Sequence, residues 1–168
     1  MAVALLQLQC SWVLAFAIRV RRPLANRKLL LYSVNVHRRS ECPIAYGLDL
    51  FGDRWSLLIV RDIALRGKHN YREFETAGEG IATNILASRL KNLVGLGILE
   101  KIRDPKHGSK RIYRLTQKGI DLLPVILEIV IWSAKHDPES PVSKAFLRRA
   151  SRDRVGLLAE MRDAASRP

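Results

Sequence analysis

The sequence is poor in cysteine and lacks the pairs that disulfides and metal centres need. Its two cysteines, Cys10 and Cys42, stand far apart, without a CxxC pair or any other spacing that suits a metal ion. Cysteines without a disulfide framework are typical of reducing compartments. We therefore expect a cytoplasmic protein with no structural metal and no cofactor.

Recognisable catalytic signatures are also missing. The chain has no GxSxG elbow, no Walker loop and no dinucleotide-binding fingerprint, each of which places reactive groups by a fixed spacing. The histidines are not spaced like metal ligands, and we expect them at the surface or in a hairpin: His37, His69, His107 and His136. The sequence therefore predicts a protein that is not an enzyme.

One apolar run, residues 1–18, approaches the roughly 17–25 residues that span a bilayer. Gln7, Gln9 and Ser11 interrupt it and no basic residue precedes it, so membrane association is not expected. Residues 1–40 are interpreted as a basic and apolar N-terminal extension. The reading we favour is that translation was assigned to begin too early; the alternatives are an extra dimerisation helix and a membrane anchor.

Positive charge is abundant but unevenly distributed. The net charge is +13, yet residues 82–118 alone carry +7, from nine bases against Glu100 and Asp104. The flanking segments, 41–81 and 119–139, are mildly acidic, at −2 and −3. A local basic block on an ordinary domain is typical of a surface that faces phosphates.

The pattern from residue 42 to residue 80 predicts three helices. The first begins at Cys42-Pro43 and ends near Gly52, and Asp53 caps the second. Residues 70–73, Asn-Tyr-Arg-Glu, form a capping box that begins a short third helix. Glycines at 78 and 80 then supply a turn.

A fourth helix, from about Ala82 to Val94, completes a helix-turn-helix. Leu86, Leu90 and Leu93 lie on one side of it, and small or polar residues occupy the other side, where they can approach base edges. The candidate DNA-binding residues of this helix are Thr83, Asn84, Ala87, Ser88, Arg89 and Lys91. As an alternative, Arg89 turns inward to pair with an acid such as Glu73 or Glu75.

Two strands, 98–103 and 110–115, follow this helix and are joined by a loop of turn-forming residues. This hairpin is a wing, and its candidate contacts to the DNA backbone are Lys106, His107, Lys110 and Arg111. The predicted fold is mainly α with a small β-hairpin (α+β): a dimeric winged helix-turn-helix.

Two further helices are predicted after the wing. Thr116 caps a long one that reaches about His136, with a kink at Pro124. Apolar residues surround this helix, so a sister subunit is expected to cover part of it. Residues 142–163 predict a basic amphipathic helix that either flanks DNA or presents a solvated face, which we favour. Residues 41–136 are thus the DNA-binding domain and 137–168 a basic C-terminal extension.

Several ordered blocks resemble the HxlR family of winged helix-turn-helix regulators, relatives of the MarR group. They are CPIAYGLDLFGDRWSLLIVRDIALRG (42–67), YREF (71–74), GIATNILASRLKNLVGLGILEK (80–101), YRLTQKG (113–119) and LLPVILEIVIW (122–132). The resemblance implies a homodimer that binds double-stranded DNA, usually as a repressor, with helix 82–94 in the major groove and wing 104–110 over the minor groove. Many relatives open this helix with Ser-Pro-Lys, whereas this chain has Ala82-Thr83-Asn84, so target sequences cannot be transferred.

Some members of the family respond to electrophiles or oxidants through a cysteine at the position of Cys42. A thiol at a helix N-terminus, near Arg38 and Arg39, favours the reactive thiolate. The alternative is that Cys42 packs against Trp55 as a small apolar residue. A second open alternative concerns the whole protein, because winged helices also serve as protein-docking modules that do not bind DNA.

Overall fold

The computed structural model describes residues 40–104 and 107–166. The predicted N-terminal extension therefore lies almost wholly outside the described residues. The helices and strands, in chain order, are α1 (Pro43–Phe51), α2 (Ser56–Arg66), α3 (Tyr71–Glu75), α4 (Thr83–Gly95), β1 (Leu99–Arg103), β2 (Arg111–Leu115), α5 (Gln117–Ile120), α6 (Leu123–His136), α7 (Lys144–Arg152) and α8 (Arg154–Ser166). None of the helices in these two ranges is both long and apolar enough to cross a membrane.

The mainly helical fold with a small β-hairpin that the sequence predicted is confirmed, whereas its dimeric state stays a prediction. The described chain is mostly helical, and its sheet is one antiparallel hairpin of β1 and β2. Helix α2 lies at the centre, in contact with β2, α6 and α8, while α4 packs on β1. Fully buried side chains from α2, α3, α4, β1 and α6 form one core, including Val60, Ile63, Phe74, Leu86, Leu90, Leu93, Leu99, Leu123 and Leu127.

Local signals at the helix ends were read correctly. Asn70 accepts the Glu73 amide at 3.1 Å, and the Glu73 carboxylate accepts the Asn70 amide at 3.0 Å, so the capping box is present. Partial burial acts to raise the pKa of Glu73, but hydrogen bonds from the amides of Asn70 and His69 outweigh it and lower that pKa. Gly78 and Gly80 have positive φ, as the turn before α4 requires.

An ion-pair network holds this turn against α2. Asp62 is buried, accepts a hydrogen bond from Arg61 at 2.7 Å and forms an ion pair with Arg66 at 3.3 Å. Arg61 also pairs at 3.0 Å with Glu79, which lies in the turn between α3 and α4. Because Asp62 is removed from water, its two arginine partners are what make its charge tolerable. The network fixes the turn that precedes α4.

The prediction of one long helix from Thr116 to His136 was wrong, although Thr116 does cap the first turn, where its Oγ1 accepts the Gly119 amide at 3.3 Å. The helix ends at Ile120 and α6 begins at Leu123, with Pro124 in its first turn. Proline has no amide to donate, so the helical hydrogen bonding stops before it instead of bending through it.

The C-terminal segment also differs from its prediction. The expected helix over 142–163 is two helices, α7 and α8, separated at Asp153. Each of them buries apolar residues in the same core as the winged helix: Ala150 from α7 and Leu157, Met161 and Ala165 from α8. The solvated basic face expected for this segment is therefore only one side of it, because α8 packs on α2 and α6, and α7 packs on α8.

Candidate nucleic-acid interface

One face of α4 is exposed and carries small and polar side chains. Its members recur every three or four residues, opposite the buried leucines of the helix. They are Thr83, Asn84, Ala87, Ser88 and Lys91, all of them candidates from the sequence. No side chain caps the start of α4, and the Tyr71 hydroxyl donates to the Thr83 carbonyl at 2.8 Å. This contact holds the first turn of α4 against α3.

Arg89 differs from the other candidates on α4, because it turns partly inward. Its Nη1 lies 3.5 Å from Oδ2 of Asp53, at the start of α2. The alternative that Arg89 turns inward to pair with an acid is therefore confirmed, but the proposed partners, Glu73 and Glu75, were wrong. The actual partner lies outside the helix-turn-helix sequence, which is why spacing within the motif did not reveal it.

The register of the wing brings two arginines together at its outer end. Arg103 on β1 is directly opposite Arg111 on β2, and both are exposed. Like charges directly opposite each other destabilise a bare hairpin. An anion between them would relieve that repulsion. Arg103 was not a candidate in the sequence analysis, although counting back from the loop along an alternating strand could have found it.

The tip of the wing carries the remaining candidates. His107 and Lys110 are exposed, and the Lys110 amide donates to the His107 carbonyl at 2.7 Å, which closes the loop. Lys106 lies outside the described residues. The tip and outer end of the hairpin together present His107, Lys110, Arg111 and Arg103 to solvent, a basic surface at the free end of the wing.

The base of the wing is fixed to the helices. The Tyr113 amide donates to the His69 carbonyl at 2.7 Å, and His69 Nδ1 lies 3.1 Å from the Tyr113 carbonyl. Directly after β2, the Thr116 hydroxyl donates to the Gly97 carbonyl at 2.6 Å. His69 is half-buried and joins the α2–α3 loop to the wing, so the expectation that it lies at the surface or in the hairpin was wrong. The wing is therefore held in a fixed position beside α4.

Cys42 stands at the N-cap of α1 and its side chain is exposed. Trp55 therefore does not enclose it in the described chain, which argues against the packing alternative. The backbone amide of Cys42 donates to the Ser40 hydroxyl at 3.2 Å. An oxidant in solution can reach this thiol.

The described ranges contain no cluster of three or more histidine, cysteine, aspartate or glutamate side chains that could hold a metal ion. The arrangement around α4 instead offers amide, hydroxyl and ammonium groups on one face and guanidinium groups on the hairpin beside it. Such groups donate hydrogen bonds to base edges and phosphates.

The sequence model of HxlR-like helix-turn-helix proteins matches residues 50–141, which is more than half of the 168 residues. The chain belongs to the HxlR-like helix-turn-helix family. Proteins of this family are transcriptional regulators of the helix-turn-helix type, and so is this chain. The family assignment made from the ordered sequence blocks is thus confirmed.

Individual relatives agree with the family assignment. MT3179, a helix-turn-helix transcriptional regulator of Mycobacterium tuberculosis, is 33% identical over 110 residues, covering 64% of this chain and 68% of its own. The crystal structure of PA1607, described as a candidate transcription factor, is 41% identical with a TM-score of 0.57 and covers 64% of this chain and 73% of that one. The reduced form of the redox regulator HypR is 25% identical with a TM-score of 0.52, covering 58% of this HxlR-like chain and 95% of HypR.

Proposed function

We propose that this chain is a homodimeric, cytoplasmic repressor that binds specific sequences in double-stranded DNA. Helix α4 enters the major groove, and the wing lies on the backbone of the adjacent minor groove. The observation that carries the proposal is the exposed polar face of α4 beside a basic hairpin. A repressor of this kind acts by occupying DNA that polymerase needs.

The proposed contacts fall into two classes. Thr83, Asn84, Ala87, Ser88 and Lys91 face the bases, where side chains of this size can reach the edges. Wing residues contact phosphates and set the register of the protein on the duplex without reading sequence. They are Arg103, Lys106, His107, Lys110 and Arg111.

The dimer is proposed from apolar side chains that the single chain leaves in water. On α6 these are Val125, Ile129 and Trp132, of which Trp132 is 65% exposed. On α1 they are Ile44 and Leu48, of which Ile44 is 73% exposed. An apolar surface of this kind marks a protein contact, and a second copy is the simplest partner. Two copies would present two α4 helices to two half-sites.

The experiment that tests DNA binding is an electrophoretic mobility shift with fragments of the promoter of the protein's own gene. We expect a discrete complex on one fragment, resistant to competitor DNA, that weakens steeply as salt rises because phosphate contacts release counterions. A scrambled duplex of the same length and composition is the control. Absent or salt-insensitive binding would favour the protein-docking alternative.

We also propose that an oxidant or electrophile is the effector and that Cys42 is its target. The thiol is exposed at the N-cap of α1, which carries Ile44 and Leu48, the apolar residues assigned to the dimer. Modification there would disturb how two copies meet. HypR, the similar structure in the comparison above, is itself a redox regulator.

The effector proposal is tested with diamide, which oxidises two thiols to a disulfide. Diamide should lower the DNA affinity of a Cys10→Ser protein, in which two copies of Cys42 are the only thiols of a dimer. It should leave the Cys10→Ser, Cys42→Ser double variant unchanged. If diamide lowered the DNA affinity of both proteins equally, Cys42 would not be the target of the oxidant.

A further inference from the structure

Asp53 contacts two helices at once. Its Oδ1 accepts the amides of Trp55 at 2.9 Å and Ser56 at 3.0 Å, which caps the start of α2. Its Oδ2 accepts the Ser56 hydroxyl and faces Arg89 Nη1 on α4. One carboxylate therefore serves as the cap of α2 and as the counter-ion of a residue on α4.

Arg89 has no other ion-pair partner among the described residues. Its side chain is 33% exposed, and its Nε is buried without a hydrogen-bond acceptor. A guanidinium in this state has lost part of its hydration, so the carboxylate beside it matters more than at an open surface. Since Arg89 lies midway along α4, the pair fixes the middle of that helix to the first turn of α2.

Asp53 also lies at the junction between α1 and α2. Helix α1 ends at Phe51, and Gly52 precedes Asp53 directly. Helix α1 begins directly after Cys42 and carries the exposed Ile44 and Leu48. Residues 52–55 are therefore the direct connection between α1 and α2.

We propose that Asp53 is a positioning residue for DNA recognition: through Arg89 it sets the placement of α4 and links that placement to the α1–α2 junction. The inference rests on the proposed function, because the consequence of moving α4 is read out on DNA. It differs from the view that Arg89 binds DNA itself, since here its charge is committed to Asp53.

Asp53→Asn separates positioning from capping. Asparagine is as good a helix cap as aspartate, so its oxygen still accepts the Trp55 and Ser56 amides, while its NH2 group can donate to the Ser56 hydroxyl. The charge that holds Arg89 is removed. Removing a negative charge from a DNA-binding protein should tighten binding by simple electrostatics. The positioning role predicts weaker binding by Asp53→Asn, so the direction of the change in DNA affinity distinguishes the two.

The experiment measures affinity for the protein's own operator fragment with Asp53→Asn, Arg89→Gln, the double variant and Glu75→Gln. Glu75 is an exposed carboxylate on α3 and serves as the matched control for loss of charge. We expect Asp53→Asn and Arg89→Gln each to weaken operator binding about fivefold to tenfold. Because the two residues are in contact, their effects should not add, and the double variant should bind at least as tightly as the weaker of the two single variants. Glu75→Gln should bind as tightly as the wild type or slightly tighter. Arg89→Lys, which keeps the charge, should retain most of the affinity.

The salt dependence distinguishes the two roles of Arg89. Under the positioning role, the salt slope of Arg89→Gln equals that of the wild type, because no phosphate contact is lost. Two results together would overturn the inference and make Arg89 a DNA ligand. Asp53→Asn would bind as tightly as the wild type or more tightly, and the slope of log affinity against log salt concentration would fall by about one in Arg89→Gln.

A second readout needs no DNA and so separates this inference from the proposed function. Hydrogen exchange of the free full-length chain should be faster over residues 83–91 in Asp53→Asn than in Glu75→Gln, while the amides of α2 stay protected. Unchanged exchange in α4 would contradict the positioning role even if DNA binding itself were absent. Wild-type protein that binds no duplex would overturn the proposed function alone.

Discussion

Helices α4 and α6 both lie at the surface of the described chain, but they present different chemistry to solvent. Outside its buried leucines, α4 exposes threonine, asparagine, alanine, serine and lysine. Helix α6 buries Leu123, Ile126 and Leu127 and still exposes Val125, Ile129 and Trp132. The first surface is stable in water as it stands and suits phosphates and base edges. The second leaves apolar area in water and suits the contact with a second copy that we propose.

The largest effect is expected from breaking the apolar surface of α6. Ile129→Glu together with Trp132→Glu should convert a dimer into a folded monomer, because charged side chains would be buried at the contact. Loss of the second half-site should lower operator affinity by about a hundredfold or more. Sedimentation velocity and fluorescence anisotropy measure the two effects.

The control for that variant is Lys135→Glu, which changes charge on the last turn of the same helix at an exposed position. It should remain dimeric. A double variant that stays dimeric, or a monomer with wild-type affinity for the operator, would show that α6 does not form the functional contact.

The next effect concerns the polar face of α4. Lys91→Ala should weaken operator binding by about tenfold, the scale of one good base or phosphate contact. Thermal unfolding should not change, because Lys91 is exposed and has no partner among the described residues. Lys144→Ala, an exposed lysine on α7, is the matched control. If the Lys91 and Lys144 variants bound the operator equally tightly, the exposed face of α4 would not be part of the DNA interface.

Wing substitutions should have smaller and more uniform effects. Lys106→Ala or Arg103→Ala should each weaken binding a few-fold on specific and scrambled duplexes alike, and reduce the salt slope by about one. Titrations at several salt concentrations measure this slope. Loss of affinity confined to the specific duplex would mean that the wing reads bases instead of phosphates.

The smallest effect is a pH dependence at the cap of α2. Partial burial acts to raise the pKa of Asp53, but hydrogen bonds from Ser56 and Trp55 and the charge of Arg89 outweigh it, so the pKa is lowered. The carboxylate thus contributes stability that is complete above its unfolded pKa of about 3.9 and is lost as pH falls below that value. As the pH falls below about 4, the free energy of unfolding should therefore decrease less in Asp53→Asn than in the wild type. Urea melts measure this difference. If the free energy of unfolding fell equally with pH in both proteins, the Asp53 carboxylate would not be the group that stabilises the fold above about pH 4.

Much of the fold and of the α4 face could be predicted from the sequence. The capping box at Asn70 and the leucine spacing of α4 are local signals, because each depends on residues within two helical turns. Thr116 was assigned correctly for the same reason. The family blocks then ordered these elements along the chain.

The remaining features depend on contacts between distant segments. Arg89 pairs with Asp53, which is 36 residues away, and no local pattern encodes that distance. Arg103 becomes a candidate only when the register sets it against Arg111. The packing of Met161 and Ala165 against α2 and α6 could not be separated from a solvated helix by composition alone.

The most direct test of the account is the mass of the protein–DNA complex on the operator fragment, measured by analytical ultracentrifugation at moderate salt. We predict two chains per duplex for the wild type and no stable complex for the Ile129→Glu, Trp132→Glu variant at the same concentration. A stable complex with one chain per duplex, or equal complexes with both proteins, would contradict it.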